Sequence, residues 1–243
     1  MIIPFVLLML GLLEHEELGG KLIIEQDLTK YGYDNTEEGI KNALVNGFQK
    51  KDLKLLDTAL NVVFFENHED MVNYSDVLCW LYKENPEFVK NTKYEPMIIY
   101  IISISDIIKD PCFARELSLR FTDLWRINSY FIHKASINIC SKHDIPIYYF
   151  TIKYILSKNA YFPGLDKYLQ AMVDDNTFEI SNETCYIIYE KHKNKPACKE
   201  VLEFYKSKAI ICKCDDPKAL SEKVNNDIDN EIIKLINGIK CEK

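Results

Sequence analysis

Histidine and cysteine are the residues in this chain best suited to metal or nucleophilic chemistry, and their spacing argues against both. The five histidines (His15, His68, His133, His143, His192) lie far apart, and none forms the H-x-x-x-H pair that puts two ligands on one helical face. Glu14-His15-Glu16-Glu17 has the look of a metalloprotease helix but lacks the second histidine four residues on. Of the eight cysteines, only Cys212 and Cys214 are close, and adding Cys241 still leaves no second C-x2-4-C pair for zinc. The others sit among apolar neighbours, as buried free thiols do, which points to a reducing, intracellular compartment. No G-x-G-x-x-G, P-loop or G-x-S-x-G occurs, and glycine is too scarce for a loop that cradles phosphate. The expectation is a protein with no cofactor, no metal and no catalytic site.

The remaining chemistry is electrostatic. Glu190-Lys191-His192-Lys193-Asn194-Lys195, followed by Lys199, Lys206 and Lys208, is the densest basic cluster. Lys191, Lys193, Lys195 and Lys199 are therefore the candidate nucleic-acid contacts, weighed against a solvated turn whose lysines stabilise helix C-termini. Aromatics crowd the same half (Tyr130, Phe131, Tyr148, Tyr149, Phe150, Tyr154, Tyr161, Phe162). At helical spacing most belong to the core, and one or two exposed rings beside lysines could stack on bases. The net charge of -7 works against a global phosphate footprint. It is uneven: residues 1 to 122 carry 12 Lys+Arg against 20 Asp+Glu, and residues 123 to 243 carry 18 against 17. Only three arginines occur (Arg115, Arg120, Arg126), a bias consistent with an AT-rich genome.

The elements that carry these residues read as helices. Glycine and proline number 8 each, too few for a β-sandwich with a turn every ten residues or so, and nothing alternates with period two for long. Apolar spacing near 3.6 places helices at Pro4 to Glu16 and Lys21 to Tyr31, with Gly32 ending that pair through positive φ. Asn35 or Thr36 caps a helix over Gly39 to Gln49, and Asp52 opens the next, through Phe65. Further helices are predicted at Tyr74 to Lys83, after Pro86, at Pro96 to Ile108, from Pro111 through Trp125 and from Asn128 to about Lys142. The C-terminal half gives 147 to 158, 163 to 174, 182 to 193, 196 to 209 and about 216 to 237. The apolar run Ile2 to Leu13 lacks a basic leader and an A-x-A-like site and is too short to span a bilayer, so it reads as a buried first helix.

The pairs repeat. At an offset of 35 residues Leu18 aligns with Leu53, Leu28 with Val63, Leu8 with Ala43 and Met9 with Leu44. The same offset aligns Phe150-Thr151-Ile152 with Cys185-Tyr186-Ile187, and Leu169 with Phe204. The predicted fold is all-α: a single α-solenoid of antiparallel helix pairs over 1-243, with a period of about 35 residues. Its better repeats fall at 3-66 and 146-209, with an irregular middle at 67-145 and a terminal helix at 215-238. The chain opens inside its first repeat, which reads as a fragment of a longer array or a processed form.

Tyr149, Thr151, Ile152, Lys158, Phe162, Leu169 and Met172 fall where the pentatricopeptide repeat has its Tyr, Thr, Leu, Lys, Leu, Phe and Met. Leu18, Leu22, Leu28 and Gly32 likewise resemble that unit's second helix and closing glycine. The resemblance covers about four units; tetratricopeptide-like units are the alternative, though their Trp/Gly/Tyr pattern is missing. It implies RNA read by paired residues, here Val6, Lys41, Phe150 and Thr184 or Cys185 on first helices and Thr36, Met71 and Ile180 at unit ends. Most are apolar and unsuited to base edges. The chain is then more similar to divergent, mitochondrial RNA-associated or mitoribosomal members.

Two functions follow as expectations. One is a non-catalytic helical-repeat protein that contacts single-stranded RNA or a ribonucleoprotein through a lysine-bearing face, in mitochondria or cytoplasm. The other is a protein-protein scaffold subunit of a larger assembly that engages its partner through an apolar or acidic face and has no nucleic-acid contact. Neither involves a membrane.

Overall fold

A computed structural model describes residues 27–63, 68–90, 92–157, 164–175, 178–212, 214 and 216–241. The helix expected at Pro4 to Glu16, and most of the one at Lys21 to Tyr31, lie outside the described residues. Among the described residues the protein is all-helical, with no strand. No helix there is long and apolar enough to cross a membrane. The chain forms two compact units, one within Gly20–Ile139 and one within Cys140–Lys243.

The first unit begins with a 3-10 turn, Leu28–Tyr31, closed by Gly32 at φ 81°, whose N–H reaches the carbonyls of Leu28 and Thr29. This is the left-handed residue the sequence anticipated. Helix α1 (Glu37–Lys50) starts where the Thr36 side chain accepts the Gly39 N–H, and α2 (Leu53–Asn61) where Asp52 accepts those of Lys54 and Leu55. The two pack closely at Gly47, where a Cβ would lie 3.2 Å from the Leu56 nitrogen. Helices α3 (Ser75–Glu84), α4 (Pro86–Val89) and α5 (Glu95–Ser103) follow, and α3 packs on both α1 and α5. On α5, Ile98, Ile99, Ile101 and Ile102 are all buried. Each contributes roughly 1.5–3 kcal/mol of transfer free energy, an upper estimate because the unfolded chain is not fully extended.

The sequence carried this helix to Ile108; it stops at Ser103 and yields to a 3-10 turn, Asp106–Lys109. Ser103 and Ser105 explain the early end, since their hydroxyls bond the Tyr100 and Ile102 carbonyls at 2.7 and 2.8 Å. Helix α6 (Pro111–Leu119) breaks at Arg120, earlier than the expected Trp125, and α7 (Phe121–Lys142) bends at Asn128. Asn128 is non-helical (φ -152°, ψ 93°), and its Oδ1 accepts the N–H groups of Tyr130 and Phe131 at 3.1 and 3.3 Å. It therefore caps the second arm of α7, the helix predicted to begin there.

The second unit contains α8 (Tyr148–Ser157), α9 (Leu165–Asp174), α10 (Asn182–His192), a 3-10 turn at Pro196–Cys198, α11 (Lys199–Ala209) and α12 (Pro217–Asn237). Ser181 caps α10 and Asp216 caps α12. Helix α8 packs on α9, α10 and α12, while α10 packs on α11 and α12, and α9 on α11. The inner stripe of α12 is Val224, Ile228, Ile232 and Ile236, one residue per turn. Lys153, buried on α8, ties the two helices through Asp229 (2.7 Å) and Asn225 (3.4 Å).

One regularity runs through both units. Six of the twelve α-helices among the described residues, those starting at Glu37, Ser75, Pro111, Tyr148, Asn182 and Pro217, follow one another at intervals of 34 to 38 residues. Side-chain hydrogen bonds recur at nearly the same separation. Asn73 reaches Glu37, Lys93 reaches Asp57, Asn138 reaches Ser103, Lys191 reaches the Leu156 carbonyl, and Tyr205 reaches the Leu169 carbonyl, each across 35 or 36 residues.

Candidate functional site

Three of the four candidate lysines share a surface and one does not. Lys193, Lys195 and Lys199 line an open depression of about 360 Å³ at the turn from α10 to α11, together with Tyr189, Pro196 and Glu203. Proline at 196 and the 3-10 turn after it carry Lys199 into α11 beside this turn. Lys193 is paired with Glu190 at 2.7 Å, and Glu190 raises its pKa by holding the charged form. Lys195 and Lys199 make no ion pair among the described residues and carry the depression's uncommitted positive charge.

Lys191 turns inward instead. Its Nζ donates to the Leu156 carbonyl on α8, and burial lowers its pKa. The adjacent His192 is wholly buried, and neither ring nitrogen has a well-formed hydrogen bond. Burial and the nearby charge of Lys191 push its pKa down to about 4, against a weaker pull from the Ile155 carbonyl and with a smaller contribution from Lys195. Lys191 and His192 therefore pack α10 against α8.

The positions carried over from the pentatricopeptide motif are also mostly interior. Phe150, Met71, Ile180, Thr184 and Cys185 are buried. Lys41 is engaged by Glu37, and Thr36 is spent as a helix cap. Val6 lies outside the described residues. Among the described residues no group of three His, Cys, Asp or Glu side chains is placed to hold a metal ion. The buried thiols are unreactive acids, with burial raising Cys185 to about 12 and Cys198 to about 11.

A second concavity, of about 210 Å³, lies where α8, α10 and α12 converge in the second unit. Ile152, Ile180, Val224 and Ile228 form a buried apolar floor, with Tyr149 and Phe178 as half-buried walls. The walls are fixed. Phe178 stacks on Tyr148 (4.8 Å, 5° between planes) and meets Tyr149 edge-on (5.2 Å, 82°), while the Tyr148 hydroxyl donates to Asp175 at 2.8 Å. Around the mouth stand Glu179, Glu183, Asp227 and Glu231. Burial and the Glu231 charge raise the Tyr149 pKa, so that carboxylate acts directly on the ring.

No single stretch of sequence marks this cleft, because its carboxylates come from two distant segments, at 179–183 and 227–231. A partial signal was present in α12, where Asp227 and Glu231 are four residues apart beside Val224 and Ile228, also four apart. That pattern sets an acidic edge next to an apolar one, but the partner residues Tyr149 and Phe178 are joined to it only by the fold. Compared with known proteins, the chain matches no family model, no curated protein and no solved structure.

Proposed function

We propose that this chain is a non-catalytic helical-repeat protein that works by holding a protein partner. The observation that carries the reading is the recurrence of helix starts every 34 to 38 residues. In an array of helix pairs, residues one period apart occupy equivalent places on neighbouring units and come within reach of each other. The hydrogen bonds across 35 or 36 residues fit that arrangement. So does the pentatricopeptide resemblance, and the α-solenoid of antiparallel pairs is the architecture we infer from all three. Such arrays act through extended surfaces and do not need converging catalytic side chains. The acidic balance and the apolar cleft with its carboxylate mouth favour a protein on that surface over a polyanion.

A second reading is direct contact with single-stranded RNA, as in mitochondrial RNA-associated or mitoribosomal repeat proteins. It is favoured by the depression in which Lys195, Lys199 and Tyr189 lie together. One experiment separates the two. The tagged chain is isolated from its own cells, with and without nuclease, and the purified chain is titrated with single-stranded RNA at low salt. A stoichiometric protein complex that survives nuclease, with no RNA affinity at low salt, is the expected result. Loss of every protein partner on nuclease treatment, with RNA bound directly, overturns the first reading in favour of the second.

A further inference from the structure

We propose that the cleft between α8, α10 and α12 receives a basic, partly apolar segment of the protein partner: a Lys or Arg side chain against Tyr149 and Phe178, beside an apolar residue on the isoleucine floor. This rests on the protein-holding reading above and names the chemistry of what is held.

The floor and walls set the shape. Ile152, Ile180 and Ile228 are buried at the base and offer only a small apolar surface there, which favours an apolar group over a polar one at the bottom of the cleft. Phe178 is locked between Tyr148 and Tyr149, so little ordering of the walls is lost on binding. Two half-buried aromatic side chains beside carboxylates form an environment in which a cationic head is attracted by both charge and ring quadrupole.

Charge complementarity selects the occupant. The cations nearest the mouth are already engaged: Lys223 bonds both Glu183 oxygens at 2.8 and 3.0 Å, and Lys234 pairs with Glu231 at 3.4 Å. Lys153, beneath, is committed to Asp229. Glu179 and Asp227 have no ion pair among the described residues and stand exposed at the mouth, one on the segment before α10 and one on α12, where Asp227 also feels the charge of Lys223. An incoming Lys or Arg supplies the missing positive charge, while nucleic acid is repelled by the same carboxylates. A lone divalent cation is a poor fit, because the cavity beneath the carboxylates is apolar and no three-residue ligand group forms among the described residues.

The test uses the whole chain and three fluorescein-labelled 12-residue probes: one alternating Arg and Leu, one alternating Glu and Leu, and one alternating Arg and Ser. Anisotropy is measured at low and at physiological salt for the wild-type chain, a Glu179→Lys/Asp227→Lys double variant and a Lys195→Glu/Lys199→Glu double variant. All four substitutions are at surface positions, and circular dichroism with a urea melt confirms that each variant folds. The expected result is binding of the Arg-Leu probe alone, weakened about tenfold or more by reversing the two acids and not weakened by reversing the two lysines.

Equal binding of the Arg-Ser probe overturns the apolar half of the proposal. Equal binding to the acid-reversed variant, or no binding of the Arg-Leu probe at low salt, overturns it altogether. A wild-type chain that self-associates in solution, with dissociation by the acid reversal, makes a second copy the occupant and also overturns it. The broader reading is checked separately by repeating the nuclease-resistant isolation with the acid-reversed variant. A partner that is retained leaves that reading standing and removes the cleft from it; a wild-type chain that retains none removes the reading itself.

Discussion

The hydroxyl of Tyr205 on α11 donates to the backbone carbonyl of Leu169 on α9 at 3.0 Å, joining residues 36 positions apart inside the apolar core of the second unit. Tyr205 is fully buried, and burial drives its pKa far above that of a free phenol, so it stays a donor at any accessible pH. Tyr205→Phe keeps the ring and removes this bond, leaving the carbonyl to its place within α9. We expect a loss of about 1–2 kcal/mol in urea unfolding, with the denaturant slope unchanged. A neutral effect would show that this bond does not help hold α9 against α11.

A buried ion pair in the first unit makes a larger prediction. Glu95, with no exposed side-chain surface, accepts from the Arg120 guanidinium at 2.9 and 3.2 Å and from the Tyr82 hydroxyl at 3.1 Å. Arg120 also reaches Asp123 at 2.9 Å, which fixes the break between α6 and α7. Removing one partner leaves a charge in the core. Arg120→Met should destabilise by about 3–5 kcal/mol, and Arg120→Met combined with Glu95→Gln by less than Arg120→Met alone. Urea midpoints of the two variants decide this, and a double variant weaker than the single one would contradict it.

His192 should make stability pH-dependent in the second unit. Its pKa falls from about 6.5 when unfolded to about 4 when folded, so between those values the unfolded chain binds the proton more tightly. Protonation then favours unfolding, and stability is full above about pH 6.5 and lost as pH falls toward 4. One pKa unit is about 1.4 kcal/mol, so the whole window is worth about 3 kcal/mol for this group. His192→Phe should flatten the fall in urea midpoint across this window. A slope identical to wild type would place the acid sensitivity elsewhere.

The order of helices was legible in the sequence wherever a local signal marked it. Gly32, Thr36, Asp52, Pro111 and Asn128 each stand at a boundary because the conformation or hydrogen bond required there depends on one residue and its near neighbours. The 34- to 38-residue spacing extends through 67-145, where the sequence looked irregular: α5 ends early at its serines and α6 breaks at Arg120, which blurs an apolar pattern without shifting the next start. The cleft was not legible, since Tyr149, Phe178 and Asp227 meet only when α8, α10 and α12 pack. Nor could the lysine run reveal that Lys191 bonds the Leu156 carbonyl while Lys195 lines the open depression. Lys191 stands in the last turn of α10 and Lys195 beyond its end, and only the position of α8 determines what Lys191 meets.

That difference between lysines can be measured. Lys191 carries a lowered pKa, so its charged form is disfavoured in the fold, and Lys191→Met exchanges one bond to the Leu156 carbonyl for relief of that burial. The two effects oppose each other, and the net change in stability should stay within about 1 kcal/mol. Lys195 and Lys199 are open to solvent-borne anions, and with Lys193 they set a ceiling of three phosphate contacts in the depression. For single-stranded RNA that corresponds to a slope of log affinity against log salt of about 2, at roughly 0.7 per neutralised phosphate. Any RNA affinity measured should have a slope no steeper than this, should be lost in Lys195→Glu/Lys199→Glu, and should be unchanged in Lys191→Met. A steeper slope, or sensitivity to Lys191→Met, would require a phosphate path beyond this turn and would assign to Lys191 a role that its inward course toward Leu156 contradicts.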